Sequence, residues 1–204
     1  MKANINKGSI LIFIILASFS GCLSPTMSNT PIKYYLRPEI DELRGEPTGL
    51  TLAIRGLDYP RTITNYVTYL DEQGKMYINE NEEWAEHPSD VIKKILIKSF
   101  QRTGRFQDVA DAVEIKNPDV ILIGEINAFY KVKENSQQKI YISVNLRIRE
   151  QKSSKIIFNK NFSVESVIEN DEYFIQTVNN ALSKLAKDIE IEINNSQFNV
   201  IPIR

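Results

Sequence analysis

Between Ile140 and Arg149 the chain alternates without a break: Ile140, Ile142, Val144, Leu146 and Ile148 interleave with Tyr141, Ser143, Asn145, Arg147 and Arg149. Successive side chains of a strand point to opposite faces of a sheet, so this pattern describes a half-covered strand. It does not describe a helix, whose apolar stripe recurs every three or four residues. One row must be buried under a second layer, and the other meets water or a partner. The period resumes at Ile156, Phe158, Phe162 and Val164 after the polar Gln151-Lys152-Ser153-Ser154-Lys155, which predicts an antiparallel pair. Val120-Ile121-Leu122-Ile123 is apolar at every position, as expected of a central strand covered on both sides or at an interface.

Two amphipathic stretches supply the second layer. Val91, Ile92, Ile95, Leu96, Ser99 and Phe100 share one helical face and predict a helix over 89–103, with Pro88 in its first turn and Gly104 as its stop. Phe174, Val178, Leu182, Leu185, Ile189 and Ile193 predict another over 171–194, with Asp171 as its cap. Shorter strands are expected at 32–36, at 50–56 and at 106–110, and residues 66–70 and 75–79 form a hairpin around Asp71-Glu72-Gln73-Gly74. The fold class expected is α/β (α+β): a two-layer single domain, a mixed sheet with two main helices packed on one face.

The N-terminus limits how such a fold can be stabilised. Lys2 and Lys7 precede the apolar run Ile10 to Leu16, which is too short to cross ~30 Å of hydrocarbon as a helix and has the length of a signal-peptide core. It ends in Phe19-Ser20-Gly21-Cys22, which resembles the bacterial lipobox. On that resemblance residues 1–21 are a cleaved signal peptide. Cys22 is then the lipid attachment site, carrying a diacylglycerol and an N-acyl chain such as palmitate. Residues 22–31 form a lipidated tether rich in Ser, Thr and Pro, 32–196 the folded domain and 197–204 a C-terminal tail. Leu23, where Asp would retain the protein, resembles the sorting rule for the outer membrane, so the expected location is the cell envelope, lipid-anchored and facing the periplasm. Several acyl chains together hold a protein on a membrane essentially permanently. Cys22 is the only cysteine, so no intramolecular disulfide is available and the apolar core must stabilise the domain.

Losing Lys2 and Lys7 moves the formal charge from −1 to −3 with both signs interspersed, which argues against a nucleic-acid partner. His87 is the only histidine, and beside Pro88 it reads as a cap or a surface residue before it reads as a ligand. Asp108 and Asp111 read as a solvated acidic face before a catalytic pair, since a pair needs burial or a charge partner to separate its pKa values. No phosphate-binding glycine loop or metal-ligand spacing is present, so catalytic residues, metal and cofactor other than the lipid on Cys22 are not expected. Trp84, the only tryptophan, suits either a core plug or a partner anchor. Tyr141, Arg147 and Arg149 share the face opposite the core row, and Tyr and Arg are enriched at interfaces, which makes them the candidate partner-binding residues together with Trp84.

Four segments together resemble the ABC-type transport auxiliary lipoproteins: Tyr34-Tyr35-Leu36, Trp84-Ala85-Glu86-His87-Pro88, Gly104-Arg105-Phe106, and Pro118-Asp119-Val120-Ile121-Leu122-Ile123-Gly124-Glu125-Ile126-Asn127-Ala128-Phe129. That group includes the paraquat-inducible lipoproteins serving MCE-type lipid transport. The resemblance implies a non-enzymatic accessory subunit, anchored in the membrane and partnered by a periplasmic MCE/ABC transporter component, and the face of Tyr141, Arg147 and Arg149 makes a homo-oligomer a further expectation. The alternative function is a lipoprotein that activates a cell-wall synthase or belongs to a secretion apparatus.

Overall fold

The computed structural model describes residues 30–41 and 43–198, so Cys22, the leader, most of the tether and most of the C-terminal tail lie outside the described residues. Within them run β1 (Ile32–Tyr34), β2 (Thr51–Ile54), β3 (Tyr66–Leu70), β4 (Met76–Trp84), α1 (Pro88–Thr103), β5 (Asp108–Asp111), β6 (Val120–Glu134), β7 (Gln137–Glu150), β8 (Ile156–Ile168) and α2 (Phe174–Asn195).

β6 organises a curled mixed sheet. One of its edges pairs antiparallel with β7 from Val120 opposite Glu150 to Glu134 opposite Gln137, and β7 pairs antiparallel with β8. The other edge is shared, with β2 parallel beside Val120 to Leu122 and β3 parallel beside Lys131 and Val132. A strand of 15 residues can hold both because it spans roughly 45–50 Å. β5 extends the first arm beyond β2, while β4 and then β1 extend the second beyond β3. Gly124 lets β6 approach β7 closely: a Cβ there would lie 2.6 Å from the Asn145 carbonyl oxygen and 2.6 Å from Leu146 Cδ2.

The row Ile140, Ile142, Val144, Leu146 and Ile148 is fully buried and joins Leu52, Leu122 and the helix residues Leu96, Phe100, Val178 and Leu182 in one core. Both helices pack on the face that bears this row, as the alternation requires. α1 begins one residue earlier than expected, with Pro88 at its first position, and ends at Gly104 in the left-handed conformation at φ 64°. The entry to α2 differs from expectation. A short 3-10 turn at Asp171–Tyr173 precedes the α-helix, and Asn170, not Asp171, caps that turn by accepting a bond from the Glu172 amide, while α2 itself starts after Tyr173 without a side-chain cap. β4 also runs further than the hairpin reading gave it, ending on Trp84.

One element left no periodic trace. After β1 the chain forms an extended strap over the helices. The Arg37 amide donates to Asn179 Oδ1 at 2.8 Å, Asp41 pairs with Lys187 at 2.7 Å, the Ile40 carbonyl accepts from Arg102 at 2.6 Å, and the Gly45 and Thr48 amides donate to the Thr103 and Arg105 carbonyls. Four extended residues from Arg37 to Asp41 advance ~13 Å, and eight helical residues from Asn179 to Lys187 rise ~12 Å. The strap and α2 are therefore commensurate, and each tie falls opposite its partner.

Candidate functional site

Strand parity turns the end of β4 inward, and Trp84 is 2% exposed. Its ring lies 5.9 Å from Tyr34, 5.4 Å from Phe129 and 5.7 Å from Phe174, sealing the seam where the sheet meets the first turn of α2. Trp84 therefore takes the packing role. It is withdrawn as a partner-binding residue, because a side chain with almost no accessible surface offers nothing to dock on.

Beside it lies a charged cluster that the sequence reading missed. Lys131 is 4% exposed, and its ammonium sits 3.8 Å from the centre of the Phe174 ring and 5.1 Å from that of Tyr69, a doubly stacked cation–π arrangement. It donates to the Tyr69 hydroxyl at 3.2 Å and pairs with Asp171 at 3.8 Å. Tyr69 and Tyr34 both donate to the Glu82 carboxylate, which also accepts from Asn79 at 3.0 Å. Burial works to raise the Glu82 carboxyl, but these donors and the Lys131 charge outweigh it and hold it below its usual range. Burial and Glu82 push the Tyr34 hydroxyl up to about 12, and burial pulls Lys131 down against Glu82 and Asp171. The cluster is tied together by paired groups: the Tyr34 and Tyr69 hydroxyls are committed to Glu82, and the Lys131 ammonium to Asp171, the Tyr69 hydroxyl and two ring faces. The signal for Lys131 was its place in the inward row behind Phe129. A bulge in the pairing between Ile126 and Ala128 shifts the parity there and hides it.

The remaining candidates separate cleanly. His87 caps α1: its Nδ1 accepts from the Ser89 amide at 3.2 Å, its Nε2 lies 3.3 Å from the Ile63 carbonyl, and its ring lies 4.3 Å from that of Tyr59, tilted by 38°. A neutral ring protonated at Nε2 satisfies both contacts. Asp111 pairs with Lys93 at 2.6 Å, which is the largest influence holding its carboxyl below the usual range. Asp108 stands three residues away on the same short strand, so alternation sends the two carboxylates to opposite faces and no dyad forms.

Tyr141, Arg147 and Arg149 share the sheet face that neither helix covers, with Tyr141 six residues, roughly 20 Å, along the strand from Arg147. Tyr141 is opposite Tyr130 with ring centres 5.6 Å apart, Arg147 is opposite Ile123, and Arg149 is opposite Ile121. Arg147 is exposed, whereas Arg149 is half-buried with its Nε lacking a hydrogen-bond partner among the described residues. Ile121, Ala128 and Ser143 are buried between these larger side chains. The face combines paired aromatics, two guanidinium groups and a small apolar floor with the polar side chains of Glu125, Asn145, Asn159, Asn161, Ser163 and Glu165. No helix among the described residues is long and apolar enough to cross a membrane.

Solved structures share this fold at low sequence identity. A protein from Xanthomonas campestris superposes with a TM-score of 0.69 at 14% identity, covering 78% of this chain and 92% of its own. An uncharacterized protein does so with a TM-score of 0.63 at 18% identity, covering 80% of this chain and 99% of its own. A hypothetical protein from Chlamydia trachomatis reaches 0.51 at 10% identity, covering 73% and 98%. No curated protein matches the sequence. The model of one family, described as the ABC-type transport auxiliary lipoprotein component, matches residues 34–190, from the tyrosine beside Trp84 to near the end of α2, and the chain belongs to that family.

Proposed function

We propose that this chain is a non-enzymatic accessory subunit of an MCE-type ABC transport system that moves lipids between the inner and outer membranes. It is held on the periplasmic face of the outer membrane by the acylated Cys22. The observation that carries the reading is the uncovered sheet face of β6, β7 and β8 in a chain of the auxiliary lipoprotein family. A subunit that works by docking needs a rigid surface, and Tyr141, Arg147 and Arg149 stand on the most extensively paired strands of the fold. The partner is the periplasmic portion of the transporter, and a second copy of this chain is a further candidate for the same surface. The locked Lys131–Glu82 cluster fits this role, since it rigidifies the end of the sheet without offering reactive groups.

Capture of the lipidated protein from detergent-solubilised membranes tests the proposal. An MCE-type periplasmic component should co-purify, and Arg147→Glu should reduce its recovery while leaving the thermal transition in place. Recovery of a cell-wall synthase or a secretion apparatus, with no transporter component, would overturn it.

A further inference from the structure

The strap does not close fully onto α1. Between them lies a groove of about 880 Å³ with a floor of Leu36, Pro38, Ile40, Ala85, Val91 and Ile95, and it continues past Pro38 and Ile40 to Gln101 and Arg102. Its walls carry Arg37 from the strap, Lys94 and Lys98 from the helix, and one carboxylate, Glu86. The spacing explains the two-sided character: Val91, Lys94, Ile95 and Lys98 fall at i, i+3, i+4 and i+7 on a stripe beside the one that faces the core. Lys94 is paired with Glu86, while Arg37 and Lys98 have no ion-pair partner among the described residues. Tyr35, 61% exposed, stands at the groove's mouth.

We infer that this groove binds an anionic phospholipid from the membrane that anchors the chain, with the phosphate between Arg37 and Lys98 and an acyl chain along Leu36, Ile40, Val91 and Ile95. The inference rests on the lipid-anchored reading above and adds direct contact with lipid to it. Charge complementarity selects the headgroup, since each wall supplies a free cation and phosphate is the anion such a pair holds best. The apolar floor selects an amphiphile over free phosphate, which would leave that surface unused. An extended peptide fits less well, because Pro38 has no amide hydrogen to offer and the Arg37 amide is already bound to Asn179. The distance is also right. Thirteen residues join Cys22 to Tyr35, a reach of at most ~43–47 Å, so an acylated Cys22 keeps the groove within that distance of the bilayer.

The test uses the full lipoprotein in detergent with phosphatidylglycerol carrying a diazirine in one acyl chain. Mass spectrometry should find the label in the peptides containing Tyr35–Ile40 and Val91–Lys98. Unlabelled phosphatidylglycerol should compete, while phosphatidylcholine and inorganic phosphate should not. Arg37→Glu and Lys98→Glu, both at exposed positions, should each lower labelling about five- to tenfold with an unchanged thermal transition, and Leu36→Asp should abolish it. Labelling insensitive to either charge reversal, or equal competition by phosphatidylcholine, overturns the inference. Competition by inorganic phosphate alone makes this an anion site and also overturns it. Protection of the strap and α1 from hydrogen exchange only when a captured protein is present would make the groove a protein-docking site, again overturning it. The transporter capture described above is read separately, so recovery of the transporter without lipid labelling leaves the proposed function standing and removes only this inference.

Discussion

Replacing Trp84 by alanine removes the residue that closes the sheet–helix seam, and the cost follows from what surrounds it. The indole is 2% exposed and bounded by three aromatic rings centred 5.4–5.9 Å away, two of them on β1 and β6 and one at the start of α2. Truncating a buried aromatic to alanine costs about 3–5 kcal/mol. Loss of three ring contacts, each contributing ~0.5–1.5 kcal/mol beyond area, places this site in the upper part of that range. The Phe174 ring also carries the Lys131 ammonium, so the cavity loosens a buried charge as well. Against a total stability of about 5–15 kcal/mol, and with Tm moving ~2–4 °C per kcal/mol, the midpoint should fall by roughly 8–20 °C. Far-ultraviolet circular dichroism is the suitable readout, since the substitution deletes the only tryptophan. Trp84→Phe, which keeps most of the packing, should lose less than half as much. A loss under ~1 kcal/mol for the alanine variant, accompanied by failure to capture a partner, would refute the packing assignment and restore the anchor.

Leu146→Ala and Leu182→Ala each remove a buried side chain from the shared core and should cost ~2–5 kcal/mol in urea titrations; less than ~1 kcal/mol at both would mean that the faces are misassigned. Gly124→Ala drives a methyl against the Asn145 carbonyl at 2.6 Å, which backbone cannot evade cheaply, so a loss of ~1–3 kcal/mol and faster amide exchange along β6 and β7 are expected; unchanged exchange would contradict this. Glu190 is 2% exposed, and burial raises its carboxyl to about 7, with Asp41 adding to the effect and Lys187 and Arg102 opposing it. Its folded value exceeds the unfolded one, so the stability it contributes is full below pH ~4.5 and is lost as the pH rises through about 7. Glu190→Gln should flatten that decline, by on the order of 2 kcal/mol between pH 4.5 and 8, and an unaltered slope would show the carboxylate to be ionised in the fold. Cys22→Ser should leave an uncleaved or soluble form without acyl mass, and wild-type protein lacking that mass would remove the anchor altogether.

What could be read from the sequence was whatever a single period governs. The row Ile140 to Ile148 and the stripe Phe174 to Ile193 belong to elements covered on one side along their whole length, so burial repeats with the backbone and the pattern survives intact. β6 was legible only as far as Phe129, because the bulge after Ile126 inserts a residue and puts Ile126 and Phe129 on the same face; the strand continues to Glu134 out of phase with its own beginning. β4 was truncated for another reason. Its residues Glu80, Glu82 and Glu83 disguise a strand, yet Glu82 is held by Tyr34 and Tyr69, and Glu83 by Lys33. Asp171 was a reasonable cap, but Asn170 precedes it with an equally short acceptor, and Asp171 turns instead to Lys131.

The groove was illegible because neither of its walls is set by a period. The strap from Arg37 to Thr48 is polar, carries Pro38 and Pro47, and is held by single bonds to helices more than fifty residues away, so its conformation is written in its partners and not in its own pattern. On α1, Val91 and Ile95 satisfy a helical core stripe and hide that they also border an open surface. What the sequence does contain is Lys94, Lys98 and Arg102 at successive four-residue steps. Like charges at i and i+4 disfavour a bare helix by ~0.2–0.5 kcal/mol per pair, and Lys94 is relieved by the Glu86 carboxylate that precedes the helix. Lys98 has no ion-pair partner among the described residues and lines the groove, where an anionic occupant would answer it.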